Sequence, residues 1–341
     1  MANNKDMNIN KNTVVTKVNG GFLDAPILND EYMRGSSRSL GGSMIYPKDR
    51  VVLMPSGDWS RLAYDWQELQ SPYFETMACV TFGTLHALEM LHHQRTISAS
   101  LLTEKKIGSA GDPAGSSGEP LNRAGGQLAA NAALRRNSDR FIATLSGTTA
   151  NGNTPQKVCE TIRKKGLLSE AHLPVTPEIN TWNKFYTGVT DRLKGEALRY
   201  LDSYKMGHEW VFQNGVPTDV QKQLIREALK HSPVGVSVYA WAEHTVSEGD
   251  SRGSEDPLHT TSKRGSVYVS PKGVNQNHWC LVVRVNDDGS YVVLDQYEPF
   301  MKTLHEDFRF GVAKSWEIER KVNLSLWDRF KTILMNAFRL S

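Results

Sequence analysis

Residues 74–83 read FETMACVTFG and place a cysteine where an extended approach turns into an apolar helix. The apolar residues after Cys79 are dense enough for a helix buried on several sides, which we expect to end near Gln94, after the polar pair His92 and His93. Free N–H groups and the positive end of the dipole at a helix N-terminus stabilise a thiolate and lower the pKa of a cysteine. Cys79 is therefore a candidate nucleophile, with a small core hydrophobe as the alternative.

The composition of the chain excludes several classes of protein. Its 341 residues, 39% of them apolar, suffice for one large domain or two modest ones. The net charge is only +3 and the basic residues are spread along the chain, so we expect no nucleic acid as a main partner. The cysteines are Cys79, Cys159 and Cys280, an odd number that does not indicate a disulfide framework.

Changes in composition divide the chain into three parts. An Asn-, Gly- and Ser-rich extension covers residues 1–50, a folded domain covers 51–320, and an amphipathic basic helix covers 321–341. A Gly/Ser-rich insertion at 104–130 is expected to form a surface loop within the domain. We expect the irregular aromatic segment 46–78 to lie over the domain surface. The extension lacks the apolar core of a signal peptide, and no stretch reaches the ~18 apolar residues of a membrane span.

Local signals predict the elements that surround the candidate nucleophile. The predicted elements are helices at 138–147, 154–168 and 217–232 and a strand at 234–242. Ser138 and Thr154 are the expected N-caps of the first two helices, and Gly166 is the expected C-cap of the second. Asp288-Gly289 between two β-branched runs indicates a hairpin.

A thiol nucleophile needs a base within hydrogen-bond reach and a third group that orients the base. Five of the ten histidines lie in polar, turn or helix-end contexts typical of solvated side chains: His92, His93, His172, His231 and His305. His86 lies on the predicted helix about 10 Å from Cys79 by the rise per residue, which is too far for a direct base.

His278 opens the first strand of the predicted hairpin, and Asp295 lies 17 positions further on, near the end of the partner strand. A carboxylate there can accept the hydrogen bond from the imidazole and fix its tautomer. The two residues are a candidate base and orienting group, with an ordinary strand-end pair as the alternative.

Four separated blocks of the sequence resemble the papain-like cysteine peptidases, particularly their divergent bacterial and phage-encoded members. The blocks are ACVTFG at 78–83, residues 137–174, QLIREALKHSPVGVSVYA at 223–240 and NHWCLVVRVNDDGSYVVLDQY at 277–297. In that order they resemble the start of the catalytic helix, the block that shapes the substrate cleft, the helix and strand of the second lobe, and the block with the catalytic histidine. Four such blocks in the right order favour a relationship over accident.

The resemblance implies an α+β, papain-like fold of two lobes, one helical with the buried catalytic helix and one rich in antiparallel strands. It implies Cys79 as nucleophile, His278 as catalytic histidine, and Asp295 in the place of the family's asparagine. The substrate-binding residues that it implies are Asn151, Gly152, Asn153, Trp279 and Tyr297. The expected substrate is a protein or peptide, and no metal or cofactor is expected, since the cysteines and histidines show no zinc spacing.

Three departures from the family pattern bear on activity. Cys79 and His278 are 199 positions apart, more than is usual in the family, and the insertion accounts for part of the excess. The family's oxyanion-hole glutamine lies six residues before the cysteine, where this chain has Tyr73. Either Gln70 reaches the site, or the hole uses the Cys79 N–H and another donor such as Thr76.

The third departure concerns the substrate cleft. Asn153 replaces a glycine whose backbone pairs with substrate in the family, and we expect its side chain to narrow the cleft.

The predicted function is that of a cysteine endopeptidase with a Cys–His–Asp triad and an acyl-enzyme intermediate. One alternative is a peptidoglycan amidase, in which cysteine and histidine lie much closer in sequence. The other is a weak or inactive fold kept as a binding or structural module, for instance of a phage particle. We expect a cytoplasmic or virion-associated protein whose N-terminal extension is a docking arm or a propeptide, and whose C-terminal helix packs back on the domain or contacts a partner.

Overall fold

The computed structural model describes residues 22–23, 51–63, 74–108, 136–245, 260–264, 266–270, 276–297 and 299–321. Several predictions lie outside these ranges. They concern Gln70 and Tyr73, most of the N-terminal extension, the insertion beyond Gly108 and the C-terminal helix beyond Lys321.

Of the six α-helices in the described residues, four begin close to where the sequence predicts them, and the fourth and fifth were not predicted. The six helices are α1 (Cys79–Gly108), α2 (Asp139–Leu145), α3 (Pro155–Lys165), α4 (Trp182–Phe185), α5 (Asp191–Ser203) and α6 (Thr218–Leu229). The predicted caps are confirmed, because the side chain of Ser138 accepts from the Phe141 N–H and that of Thr154 from the Lys157 N–H. Gly166 ends α3 with a φ of 78°, a conformation that favours glycine.

Helix α1 is longer than predicted, since it continues well past Gln94. The polar pair does not end it, because His92 is buried and its Nε2 lies 3.0 Å from the hydroxyl of Tyr200. The following residues, TISASLLTEKK, contain neither glycine nor proline, so nothing in them interrupts a helix.

The strands are β1 (Tyr204–Phe212), β2 (Val234–Val238), β3 (Ala240–Thr245), β4 (Thr260–Arg264), β5 (Val267–Val269), β6 (His278–Val285), β7 (Tyr291–Leu294), β8 (Met301–Leu304) and β9 (Ala313–Arg320). Among the described residues they form one sheet in the order β1-β9-β2-β6-β7-β8-β5-β4-β3. The pairs β3–β4 and β5–β8 are parallel and the others are antiparallel. The α+β class is confirmed, and so is the β6–β7 hairpin, in which Gly289 has a φ of 86°.

The core lies where α1 meets the sheet. Helix α1 contacts β2, β6 and β9 and also the helices α2 and α3. Trp279 of β6 is fully buried at this junction, where a Cβ on Gly83 of α1 would lie 2.8 Å from its ring. A Cβ on Gly235 of β2 would lie 2.4 Å from the same ring and 2.5 Å from that of Trp316. Glycine is therefore needed at both positions for the helix and the sheet to approach closely.

The described part of the segment before α1 is part of the core. Trp59 is fully buried and its Nε1 donates to the carbonyl of Leu229 at 2.6 Å. The expectation that this segment lies on the surface holds for Val51 and Val52, which are exposed, but it is wrong for the apolar residues that follow them, because their side chains gain from burial: Leu53, Met54, Trp59 and Leu62. In the described ranges, no helix is both long and apolar enough to cross a membrane.

Candidate active site

Cys79 is the first residue of α1, as predicted, and it is 1% exposed. The backbone N–H groups of Trp279 and Val80 act on its sulfur and by themselves lower the pKa of the thiol. Burial nevertheless raises the pKa of the Cys79 thiol, and the carboxylates of Glu75 and Asp295 add to the rise. The expectation of a lowered pKa is wrong for this conformation, because the loss of hydration destabilises the thiolate more than the two N–H groups stabilise it.

The backbone that leads into Cys79 has an unusual conformation. Met77 has a φ of 58°, in the left-handed region that favours glycine. The turn is held by Glu75, whose Oε1 accepts from the Met77 N–H at 3.1 Å, and by the hydroxyl of Tyr186, which donates to the Thr76 carbonyl at 2.6 Å. This local strain sets the entry angle of the chain into α1.

His278 begins β6, next to Trp279, whose backbone N–H contacts the sulfur of Cys79. The ring Nε2 lies 2.7 Å from Oδ1 of Asp295, and both side chains are fully buried. Because Nε2 is directed at the carboxylate, the carboxylate fixes the ring orientation and favours a proton on Nε2. The structure thus brings Cys79, His278 and Asp295 into one region, at the junction of α1 and the sheet.

Asp295 has a second partner that the sequence analysis did not anticipate. Nζ of Lys302, in β8, lies 2.8 Å from Oδ2 of Asp295, and the Lys302 side chain is 1% exposed. The same ammonium donates to the carbonyls of Tyr297 at 2.6 Å and of Pro299 at 2.8 Å. Burial by itself raises the pKa of Asp295, but Lys302 and His278 together hold that pKa well below its usual value.

Tyr297 links the sheet side of the site to the approach to α1. Its ring meets that of His278 edge to face, with centroids 5.5 Å apart. Its hydroxyl donates to Oε2 of Glu75 at 2.5 Å. Burial and the Glu75 carboxylate raise the pKa of Tyr297, so the phenol stays protonated and acts as the donor.

The predicted substrate-binding stretch Asn151–Asn153 forms a tight turn after α2. Asn151 is exposed, and Gly152 has a φ of 93° and exchanges backbone hydrogen bonds with Thr149. The side chain of Asn153 is 3% exposed, and its Nδ2 donates to Oγ of Ser146 at 2.9 Å and to Oγ1 of Thr148 at 3.1 Å. The expected narrowing of the cleft is therefore absent at Asn153, because these bonds turn its amide inward.

Two residues of the N-terminal extension lie against this stretch. The Leu23 N–H donates to the carbonyl of Asn153 at 2.9 Å, and the Phe22 N–H donates to the carbonyl of Asn277 at 3.3 Å. The ring of Phe22 stacks on that of Trp279, with centroids 5.6 Å apart. Phe22 and Leu23 thus bridge the Asn153 turn and the residue that precedes His278. Trp279, a predicted substrate-binding residue, is covered in this conformation.

The sequence analysis missed Lys302, Glu75 and Phe22 as members of the site. A lysine within a short strand directly after the candidate aspartate was an available signal for Lys302, and a carboxylate four residues before the cysteine was one for Glu75. Nothing in the local sequence singles out Phe22. In the described part of the chain, no group of three or more His, Cys, Asp or Glu side chains is arranged to hold a metal ion.

Comparisons with known proteins find similarity in structure only. No protein-family model matches the chain, and no curated protein matches it in sequence. Xylellain, a cysteine protease from Xylella fastidiosa, is similar with a TM-score of 0.49 and 13% identity over 91% of this chain and 98% of its own.

Two further solved structures are similar at lower scores. Digestive procathepsin L 3 of the Tenebrio molitor larval midgut has a TM-score of 0.44 and 14% identity, over 84% of this chain and 76% of its own. The Carica candamarcensis cysteine protease CMS1MS2, in complex with E-64, has a TM-score of 0.41 and 12% identity, over 78% and 98%. These proteins are of the kind that the sequence blocks resemble. Identities and scores this low leave the function of the chain to its own residues.

Proposed function

We propose that the protein is a papain-like cysteine endopeptidase. The observation that carries the proposal is one constellation: a cysteine at the N-terminus of a buried helix, a histidine on strand β6, which packs against that helix, and a carboxylate 2.7 Å from Nε2 of that histidine. A nucleophile, a base and an orienting group in this order are what acyl transfer by a thiol requires.

In the proposed mechanism, Nδ1 of His278 takes the proton of the Cys79 thiol while Nε2–H stays bonded to Asp295. The thiolate then attacks the carbonyl carbon of the scissile peptide bond, and the new S–C bond forms as the carbonyl electrons move to oxygen. His278 returns the proton to the leaving amine, and water hydrolyses the thioester. The N–H groups at the start of α1 and Gln70 or Thr76 are the proposed donors to the oxyanion.

We propose that the extension blocks the site in the conformation described. Phe22 and Leu23 occupy two backbone acceptors that an extended peptide would use, the carbonyl of Asn277, the residue before His278, and the carbonyl of Asn153. Full activity then requires that the extension leave or be cleaved, and the intact chain reacts only in the fraction of molecules in which the extension has moved away; this is the propeptide role and not that of a docking arm.

The proposal is tested by covalent labelling with an epoxysuccinyl inhibitor, read by intact mass and followed by hydrolysis of a mixed peptide library. We expect one adduct on the wild type, none on Cys79→Ala, and one on Cys280→Ala. The last variant is the matched control, because Cys280 is a fully buried thiol two residues from His278. A folded wild type that takes no adduct and cleaves no peptide, even without residues 1–23, would establish the binding-module alternative instead.

The raised pKa of the buried Cys79 thiol is the one observation that favours this second candidate function, a peptidase fold retained for binding. The labelling experiment separates the two, because a thiol that stays protonated reacts with neither the inhibitor nor a peptide.

A further inference from the structure

Lys302 makes more contacts to the proposed catalytic machinery than a packing residue needs. Its strand, β8, pairs with β7 so that Lys302 lies opposite Val293, two residues before Asp295. From there the ammonium reaches Oδ2 of Asp295 and the carbonyls of Tyr297 and Pro299, all within 2.8 Å. Three short bonds satisfy the three donors of an ammonium group.

These contacts matter because Asp295 is a fully buried carboxylate. An isolated carboxylate at this depth would either take up a proton or bind an imidazolium so strongly that His278 could no longer release its proton. With Lys302 attached to the second oxygen, the Asp295–Lys302 pair carries no net charge. To His278 it presents a hydrogen-bond acceptor much like the neutral asparagine that Asp295 replaces.

The same lysine fixes the loop between β7 and β8. Its bonds to the two carbonyls hold the backbone that carries Tyr297, whose ring contacts His278 and whose hydroxyl reaches Glu75. Among the described residues, the charged groups that these contacts place near His278 are Asp295 and Lys302 on the sheet side and Glu75, which binds the Tyr297 hydroxyl, on the helix side. Cys280, also buried, shares the strand of His278.

We propose that Lys302 is a positioning residue that neutralises Asp295 and so sets the pH range in which His278 can exchange a proton with Cys79. The inference rests on the proposed peptidase function and extends it. Asp295 and Lys302 are then a linked pair, so that an asparagine at 295 works only without the cation at 302.

The test compares Lys302→Met, Asp295→Asn and the double variant by the pH profile of kcat/KM and by the rate of epoxysuccinyl labelling. In Lys302→Met the uncompensated carboxylate favours the imidazolium, so the alkaline limb moves up by about 1 pH unit and the rate falls about tenfold. In Asp295→Asn the stranded ammonium disfavours the imidazolium, so the limb moves down by a similar amount. In the double variant both charges are gone, and the limb returns to its wild-type position with at least a tenfold gain over Lys302→Met.

Lys314→Met is the matched control, since Lys314 is also a fully buried lysine of the sheet but contacts Gln156 and Trp210 instead of the site. It is expected to leave the pH profile unchanged. The double variant also guards against misfolding, because it contains no unpaired buried charge even if a single variant fails to fold.

Coincident pH profiles of the wild type and Lys302→Met, or a double variant slower than both singles, would overturn the inference while leaving the peptidase intact. A double variant that folds and keeps a displaced limb would overturn it as well. A wild type that stays unlabelled and inactive even after residues 1–23 are deleted would instead overturn the proposed function itself, so the two failures are distinguishable.

Discussion

Two largely buried clusters of this molecule each contain a thiol, an imidazole, a carboxylate and an ammonium group, yet we assign chemistry to only one of them. The catalytic cluster consists of Cys79, His278, Asp295 and Lys302, and the structural cluster consists of Cys159, His208, Glu160 and Lys314. In each, Nε2 of the histidine lies against a carboxylate, at 2.7 Å in the first and 2.9 Å in the second. Composition alone therefore does not identify the site.

The difference lies in where each cysteine and each cation sits. Cys159 is in the middle of α3, where the backbone N–H groups are used by the helix, and its sulfur accepts the indole N–H of Trp316 at 3.2 Å. Cys79 starts a helix and faces the strand that carries its histidine. Lys302 binds its carboxylate, whereas Lys314 lies 4.1 Å from the ring centre of Trp210 and leaves Glu160 to Arg163 and His208. Only the catalytic cluster combines an N-terminal thiol with an orienting, neutralised acid.

The largest expected effect comes from replacing the histidine of each cluster by glutamine in separate variants. His278→Gln removes the proposed base, so peptide hydrolysis and labelling should fall by ~10³-fold or more. His208→Gln should change neither, because burial lowers the pKa of His208 to about 3 and the ring stays neutral in a structural role. The measurements are kcat/KM for peptide hydrolysis and the rate of labelling in each variant. If both variants lost activity to the same extent, the two clusters would not be functionally distinct.

The second prediction concerns what covers each cluster. Phe22 and Leu23 lie next to the catalytic cluster, against Asn277, Asn153 and Trp279, whereas the residues of the structural cluster belong to α3, β1 and β9. Deleting residues 1–23 should therefore speed labelling of Cys79 by about tenfold, because it removes a state in which the site is closed. Deleting residues 1–21 is the control, since it keeps both covering residues and should react like the full chain. Equal rates for the two deletions would exclude Phe22 and Leu23 as the cover.

The third prediction uses the glycine that separates the clusters. Gly235 lies between Trp279 of the catalytic side and Trp316 of the structural side, so Gly235→Ala clashes with both rings and should lower the free energy of unfolding by about 1–3 kcal/mol. Gly83→Ala meets Trp279 alone and should cost less. Gly195→Ala, on α5 with open space around it, should stabilise by about 0.5–1 kcal/mol. Urea unfolding gives all three values, and a neutral Gly235→Ala would show that the two rings can part.

The local elements around the catalytic cluster were predictable because short-range signals determine them. Ser138, Thr154 and Gly166 cap their helices as expected, and the Asp288-Gly289 turn fixes the β6–β7 hairpin on which the facing of His278 and Asp295 depends. These features depend on a few neighbouring residues each, so one sequence is enough to find them.

What was not predictable depends on contacts between distant segments. Lys302 joins the cluster only because β8 pairs with β7. Strand β9 lies between β1 and β2 in the sheet, although about 75 residues or more separate it from both along the chain. The raised pKa of Cys79 follows from its burial under the completed fold, which opposes the favourable helix terminus that the sequence does indicate. Position along the chain thus singled out the candidate nucleophile and its proposed partners, but their environment required the tertiary structure.

The smallest expected effect tests whether burying the charged Lys314 of the structural cluster destabilises the fold. Burial lowers the pKa of Lys314 to about 8, while the unfolded chain keeps an ordinary lysine. The unfolded state therefore binds more protons above pH 8, so raising the pH through this value should stabilise the wild type relative to Lys314→Met. Between pH 7 and 9 we expect a relative gain on the order of 1 kcal/mol in the free energy of unfolding.

Urea unfolding of the two proteins across this range measures the gain. The comparison stops at pH 9 because burial also raises the pKa of Cys159, from 9.0 to about 11. Above pH 9 the thiol loses its proton in the unfolded chain before it does so in the folded one, which lowers the stability of the fold. If the difference in the free energy of unfolding between the two proteins did not change with pH, Lys314 would keep its proton through its contacts with Trp210 and Gln156. Lys314 would then be a stably paired cation like Lys302, and the two clusters would differ only in what their cysteines face.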